Sequence, residues 1–293
     1  MILLTGANGQ VGWEIARRGP GLGVRAFGHG ELDITDGDHV RDAVARMRPS
    51  VVVNAAAYTA VDKAESERDL AFAVNEAGPR NLAQVCADKN IPLIHISTDY
   101  VFDGAKIGPY VENDPVAPLG AYGASKLAGE RAVTQSGAPA IILRTAWVYG
   151  THGNNFVKTM LRLGAEREVL RVVDDQRGCP TAAADIADTV LALAARLSTG
   201  PVAPSLLGIF HCVGGAETTW FGFARGIFEA ANLAKTPRLE PIATSDYPTP
   251  ARRPANSVLD CSRLAAVHGM TMPSWPKSLR EMLAETLPSQ KAH

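Results

Sequence analysis

The chain has 293 residues, 46% of them hydrophobic, and a formal net charge of -1. That length supports one or two domains with a substantial core, while Lys and Arg scattered through a near-neutral chain give no electrostatic footprint for a nucleic acid or an anionic membrane surface. The opening MILLTGANGQ has no basic region ahead of its short apolar run, so no signal peptide is expected, and no run approaches membrane-spanning length.

Short apolar runs alternate with longer amphipathic stretches. The strands are expected at ILLT (2–5), VRAF (24–27), VVVN (51–54), LIHIS (93–97) and AIILRT (140–145), with helices over 9–18, 37–47, 66–89 with a break, and 122–136. Near-continuous apolar strands separated by helices describe a parallel sheet covered on both faces, a doubly wound α/β domain. Beyond about residue 150 the rhythm loosens into Gly- and Pro-rich segments, THGNNF, DDQRGCPT and YPTPARRPANS, of the kind that form functional loops. A helix over 182–197 and a strand at GIFHCV (208–213) are expected to return to the sheet. Helices near 219–232 and 277–287 then belong to a smaller C-terminal lobe over the carboxyl edge of the strands, and the final SQKAH is expected to fray.

The first strand runs into TGANGQVG, which sets Gly6, Gly9 and Gly12 at three-residue intervals before the helix opens with WEIARR. Glycines let the backbone turn sharply and approach a pyrophosphate, whose charge is met by the amides and dipole of the helix N-terminus. The strand before and the helix after are the context that a dinucleotide site requires. An acid ending the second strand would select NADH through the ribose 2'-hydroxyl. Here the strand ends FGHG, and His29 with the nearby Arg17 and Arg18 permits a 2'-phosphate, hence NADPH, with NADH also possible. Asp33 and Ile34 in ELDITD are placed to flank the adenine.

In GAYGASK, Tyr122 and Lys126 stand four apart, on one face if the segment is helical. A phenol is a poor acid at neutral pH, but an ammonium about 4 Å away at an effective dielectric near 20 favours phenolate by roughly 4 kcal/mol. Burial opposes that shift.

These features occur in a set order: the glycine loop, a strand ending NAAA at 54–57, Ser97 and Thr98 ending a later strand, and then the Tyr-Lys pair. The order resembles the extended short-chain dehydrogenase/reductases, with their Rossmann-type fold. AAYTAVDKAE (56–65), STDYVFDG (97–104), AYGASKLAGE (121–130), RTAWVYG (144–150), GNNF (153–156), DQRGCPT (175–181) and TPARRPANS (249–257) are similar to the dTDP-4-dehydrorhamnose reductase family through nearly the whole chain. The resemblance implies NAD(P)H-dependent reduction of the C4 keto group of dTDP-6-deoxy-L-lyxo-4-hexulose to dTDP-L-rhamnose. By motif, Tyr122 is the proton donor, Lys126 its partner and a ligand of the nicotinamide ribose, and Thr98 a second donor to the reacting oxygen. Thr98 and Asp99 face the sugar, and Trp147 walls its site. Gly9, Gln10 and Val11 belong to the phosphate loop, and Ala57, Tyr58 and Thr59 lie beside the nicotinamide half. Residues 1–150 plus about 182–213 would form the dinucleotide-binding domain, and about 151–181 plus 214–288 the substrate lobe.

Arg252 and Arg253 either grip the substrate pyrophosphate, since guanidinium forks match phosphate oxygens, or form loop salt bridges. Trp147 is likewise open to a core-packing role. Some members of the family hold Mg²⁺ at a dimer interface through carboxylates. Glu14 sits at one such place, but Ala184 stands where another glutamate is sought, which puts the metal and that dimer in doubt, and Asp185 and Asp188 are expected to face solvent. The chain is therefore expected to be a monomer or homodimer. Cys86, Cys179, Cys212 and Cys261 lack metal-ligand spacing and read as core thiols of a cytoplasmic protein. Two other readings share much of this sequence: a sugar-nucleotide epimerase or dehydratase that recycles bound NAD, and a non-catalytic subunit resembling the methionine adenosyltransferase regulatory subunit.

Overall fold

Six apolar runs become the strands of one parallel sheet: β1 (Ile2–Thr5), β2 (Val24–Phe27), β3 (Val51–Asn54), β4 (Leu93–Thr98), β5 (Ala140–Thr145) and β6 (Gly208–His211). The computed structural model describes residues 1–287. In space the strands run β6-β5-β4-β3-β1-β2, every neighbouring pair parallel. Chain order reverses between β1 and β3, which opens a crevice at their carboxyl ends, where doubly wound sheets bind ligands.

Side chains alternate across the pleat, so the apolar runs feed two cores. On one face Leu4, Val53, Ile94 and Leu143 pack beneath α1 (Gln10–Arg18), and on the other Leu3, Val52 and Ile142 pack beneath α2 (Gly37–Met47), α3 (Gly78–Asp88) and α4 (Ala121–Gln135). The break expected within 66–89 is a π-helical stretch, Ala73–Ala77, between a single α turn at Arg68–Phe72 and α3. Pro79, in the first turn of α3, has no N–H to give the Asn75 carbonyl. That carbonyl presses on Gly129 of α4, where a Cβ would lie 2.0 Å from it.

Past β5 come α5 (Phe156–Glu166), then α6 (Ala183–Leu197), which returns to the first face of the sheet through Ile186, Val190 and Leu193. Between and after them, strand 169–173 pairs in parallel with strand 238–242, and α7 (Trp220–Ala231) and α9 (Trp275–Thr286) share a core of Tyr149, Leu170, Phe223 and Leu279 with them. The sequence pattern missed α5, the 169–173/238–242 pair and α8 (Ser262–His268), although α5 buries a helical stripe of Val157, Met160 and Gly164 and strand 169–173 alternates in and out. The expected fraying of 289–293 lies outside the described residues, as does position 288 of the lobe. Among the described residues no helix is long and apolar enough to cross a membrane. All four cysteines are free, three of them buried and Cys261 half-buried.

Candidate active site

The loop between β1 and α1 shows why each glycine is there. Gly6 has φ +75°, and a Cβ on it would lie 2.3 Å from the Ala56 nitrogen; a Cβ on Gly12 would lie 2.1 Å from the Gly6 carbonyl oxygen. Those two are required by the protein's own packing. A Cβ on Gly9 would meet only the Gly6 carbonyl, at an ordinary 3.5 Å. Gly9 therefore leaves space in front of the helix, and no side chain caps the first turn of α1, so its amides face outward for an anion. The Gln10 side chain turns away, donating to the Val148 carbonyl at 3.4 Å and accepting from Asn155 at 3.1 Å, while Val11 packs on the core. These features fit a dinucleotide pyrophosphate.

Across the crevice, Ala57, Tyr58 and Thr59 leave the end of β3. Their course is fixed by buried Asn75, whose side chain accepts from Tyr58 N at 2.8 Å and donates to the Tyr58 carbonyl and to Ser125 Oγ, both at 3.0 Å. At the outer end Asp33 accepts from the backbone and hydroxyl of Thr35 at 2.9 and 2.8 Å, and Ile34 is buried.

Tyr122 and Lys126 stand one turn apart on α4, both buried. Burial pushes the Tyr122 phenol above its usual range, with a Thr98 contact acting against it and the charge of Asp99 reinforcing it. Lys126 donates to the Ile96 carbonyl at 2.7 Å, and burial pulls its ammonium down to about 8 against the opposing charge of Glu130. Glu130 sits a turn further on, accepting from Arg144 at 2.9 and 2.7 Å and from Ser97 at 2.5 Å. This fork fixes the end of β4 to α4. Thr98 and Asp99 follow directly, buried at the start of a 3₁₀ turn.

Tyr122 lies edge-on against Tyr100, ring centroids 5.3 Å apart, and Tyr100 lines a cavity of about 880 Å³. Trp147 forms another wall. Its φ of +49° is in the left-handed region, a strained setting for a bulky residue. The surroundings hold it there: the indole stacks on Trp220 at 3.6 Å and lies flat on Gly178, where a Cβ would come within 2.4 Å of the ring. Arg253 lines the cavity too, with Nη2 donating to Asp62 Oδ2 at 2.7 Å, whereas Arg252 is exposed and does not line it.

Comparison with known proteins agrees with this geometry. The family model for the RmlD substrate binding domain matches residues 1–287. The dTDP-4-dehydrorhamnose reductase of Burkholderia thailandensis is 46% identical over 283 residues, 94% of this chain and 95% of its own. That of Sinorhizobium fredii is 43% identical over 285 residues, 96% of each chain. The chain belongs to the dTDP-4-dehydrorhamnose reductase family. The crystal structure of dTDP-4-dehydrorhamnose reductase from Bacillus anthracis in complex with NADP has a TM-score of 0.90 at 39% identity, covering 97% of this chain and 99% of that one.

Two motifs of the dTDP-4-dehydrorhamnose reductase family meet in space. Gly104, ending STDYVFDG, has φ +73°, and a Cβ on it would lie 2.5 Å from Pro254 Cβ of TPARRPANS. Other expectations need correcting. Arg17 and Arg18 do not reach the end of β2: both bind the buried Glu14 carboxylate, at 2.8 and 3.0 Å, and Arg18 also pairs with Asp188. Glu14 accepts from Thr151 as well. Of the three basic residues, exposed His29 alone lies at the end of β2, 3.8 Å from Asp33. Asp188 faces solvent as expected, but Asp185 is half-buried and accepts from Ser278 at 2.6 Å. Among the described residues no cluster of His, Cys, Asp or Glu is arranged to hold a metal. Sequence reading missed Asp62, Asn75, Tyr100 and Trp220 as parts of the site; Asp62 and Tyr100 lie inside quoted motifs, and the other two gave no signal of their own.

Proposed function

We propose that this chain catalyses the NADPH-dependent reduction of the C4 keto group of dTDP-6-deoxy-L-lyxo-4-hexulose to dTDP-L-rhamnose, with NADH as a second-choice donor. The observation that carries the reading is a buried Tyr122 set edge-on behind Tyr100, which itself lines a cavity large enough for a nucleotide sugar. Gly6, Gly9, Gln10, Val11 and Gly12 would hold the pyrophosphate of the dinucleotide, Asp33 and Ile34 its adenine, and Ala57, Tyr58, Thr59, Tyr122 and Lys126 its nicotinamide half. NADPH, when bound, supplies the hydride.

The residues of the chain handle the charge that this creates. As the C4 oxygen gains negative charge, Tyr122 transfers its proton to it. Lys126 is the cation that favours the phenolate left behind. Its Nζ has further protons beyond the one given to Ile96, free for the phenol and the ribose. Thr98 and Asp99 face the sugar, Trp147 stacks beside it, and Arg253 supplies a guanidinium for the pyrophosphate, with Arg252 the weaker candidate. Residues 1–150 with 182–213 bind the dinucleotide and 151–181 with 214–288 the sugar nucleotide. No nucleic-acid or membrane partner is proposed; the protein would act as a monomer or homodimer without a required Mg²⁺, and its free thiols suit the cytoplasm.

The test is NADPH absorbance in the presence of the enzymatically generated 4-keto sugar. Oxidation in proportion to sugar added is expected. Conversion of a sugar nucleotide without net NADPH consumption would mean an epimerase, and cofactor binding without turnover a non-catalytic subunit.

A further inference from the structure

A threonine hydroxyl has one proton to give. Thr98 Oγ1 gives it to Asp99 Oδ1 at 2.9 Å while accepting the Tyr100 N–H at 3.2 Å. The pair is buried, Asp99 only 2% exposed. A hydroxyl committed in this way has no proton for the Tyr122 phenol or for an oxygen arriving in the cavity. Asp99 is also incompletely satisfied: its Oδ2 has no hydrogen-bond partner among the described residues. The titratable groups that face it are Tyr100 on its own turn, Tyr122 on α4 and Cys179 in the 175–181 segment, with the Ser257 hydroxyl alongside. Arg253 acts on Tyr100 and is held by Asp62.

We infer that Asp99 is a positioning residue that sets the direction of the Thr98 hydroxyl. Carrying a proton, Asp99 donates to Thr98, and the Thr98 proton turns toward the Tyr122 oxygen. Ionised, it holds that proton away. The inference rests on the reductase reading and adds a residue to it. The proton balance is simple: the Tyr122 O–H bond breaks as an O–H bond forms on the sugar oxygen, the phenolate accepts a hydrogen bond from Thr98, and Thr98 accepts one from Asp99, which keeps its proton. Burial holds Asp99 up at about 6 against the Ser257 and Thr98 contacts, so the donating state is present at lower pH and is lost as pH rises through that value. Ionised Asp99 also raises the phenol, which works in the same direction.

The experiment is the pH dependence of kcat and KM for NADPH oxidation with the 4-keto sugar, in wild type, Asp99→Asn, Thr98→Val and the double variant. Wild-type kcat is expected to fall through a group near 6, by up to about ten-fold per pH unit. Asp99→Asn should lose that limb, because its amide donates to Thr98 at every pH, and should keep the later fall belonging to Lys126. Thr98→Val should lose the same limb, and adding Asp99→Asn to it should change kcat little. A limb that persists in Asp99→Asn, or an Asp99→Asn protein altered only in KM, overturns the inference. Should that variant not fold, a carboxyl-carbon NMR titration of wild type decides: an Asp99 titrating at the ordinary value of about 4 overturns it, and a raised value with the Thr98→Val profile supports it. Wild type that oxidises no NADPH at any pH overturns this inference and the reductase reading together; oxidation with an unchanged Asp99→Asn profile overturns this one alone.

Discussion

Arg253 and Asp62 are 191 positions apart in the chain and meet at 2.7 Å on the wall of the cavity. The contact ties the TPARRP segment to the loop that follows β3, since Asp62 also accepts from the Ala251 N–H at 3.1 Å. Arg252, its neighbour in sequence, shares none of this. Arg253→Ala is accordingly expected to raise the KM for the sugar nucleotide by roughly 10- to 100-fold, the worth of a charge-assisted hydrogen bond. Arg252→Ala should change it by less than about two-fold. Steady-state kinetics on both variants checks this, and equal effects would remove the distinction.

Gly9 and Gly12 make opposite predictions although they lie in one loop. Gly9→Ala meets nothing closer than 3.5 Å, and φ there is -81°, so the variant should fold with unchanged thermal stability. It should bind NADPH at least about ten-fold more weakly, because the methyl occupies the approach to the helix amides. Gly12→Ala meets the Gly6 carbonyl at 2.1 Å and should cost about 1–3 kcal/mol of stability or more. Calorimetry of folding and of NADPH binding separates the two.

Tyr122→Phe removes the proton and keeps the ring. Its kcat should drop by about 10² to 10⁴, the usual contribution of one general acid, with NADPH affinity little changed. Full turnover in this variant would mean that another group protonates the sugar oxygen.

Glu130→Gln leaves the Arg144 guanidinium buried without its counter-charge; both side chains are only 2% exposed. Breaking such a pair costs on the order of 3–5 kcal/mol, to be read as a shift in the denaturant midpoint at constant slope. Little change would show that water or the Glu112 carbonyl takes over the guanidinium.

Two buried histidines set the acid limit. Burial, then the charge of Lys126, holds His95 well below its usual pKa, and burial, then Arg144, pulls His211 down to about 3. Both stay neutral in the fold but take up a proton on unfolding below about pH 6.5, so stability is undiminished above that pH and is lost as pH falls through it. At pH 5 each should have lost about 2 kcal/mol, together about 4, a large share of a typical stability. Denaturation curves at pH 7 and pH 5 measure it; coincident midpoints would show that the unfolded chain does not protonate them as assumed.

The sheet was legible because its strands are nearly continuous apolar runs and its turns carry glycine: β1, β2, β3 and β5 fall where the pattern puts them. Tyr122, Lys126 and the phosphate loop were legible because the chemistry needs local spacing. What escaped depends on distant partners. Arg17 and Arg18 look like free cations until Glu14 and Asp188 are seen beside them. Trp220 is one more aromatic in a helix until its ring is found on Trp147, and Asn75 is one polar residue in a helical run until the π turn aims it at Tyr58 and Ser125.

The edge strand β6 closes a sheet whose other five strands end by Thr145, and α5 and α6 intervene. During synthesis the first 145 residues therefore emerge with β5 unpaired on one side and with the apolar face under α6 uncovered. Non-local closure of this kind slows folding and exposes a sticky edge in the meantime. A fragment cut near residue 150 should therefore aggregate on expression, since it lacks both the strand that pairs with β5 and the helix that covers the face.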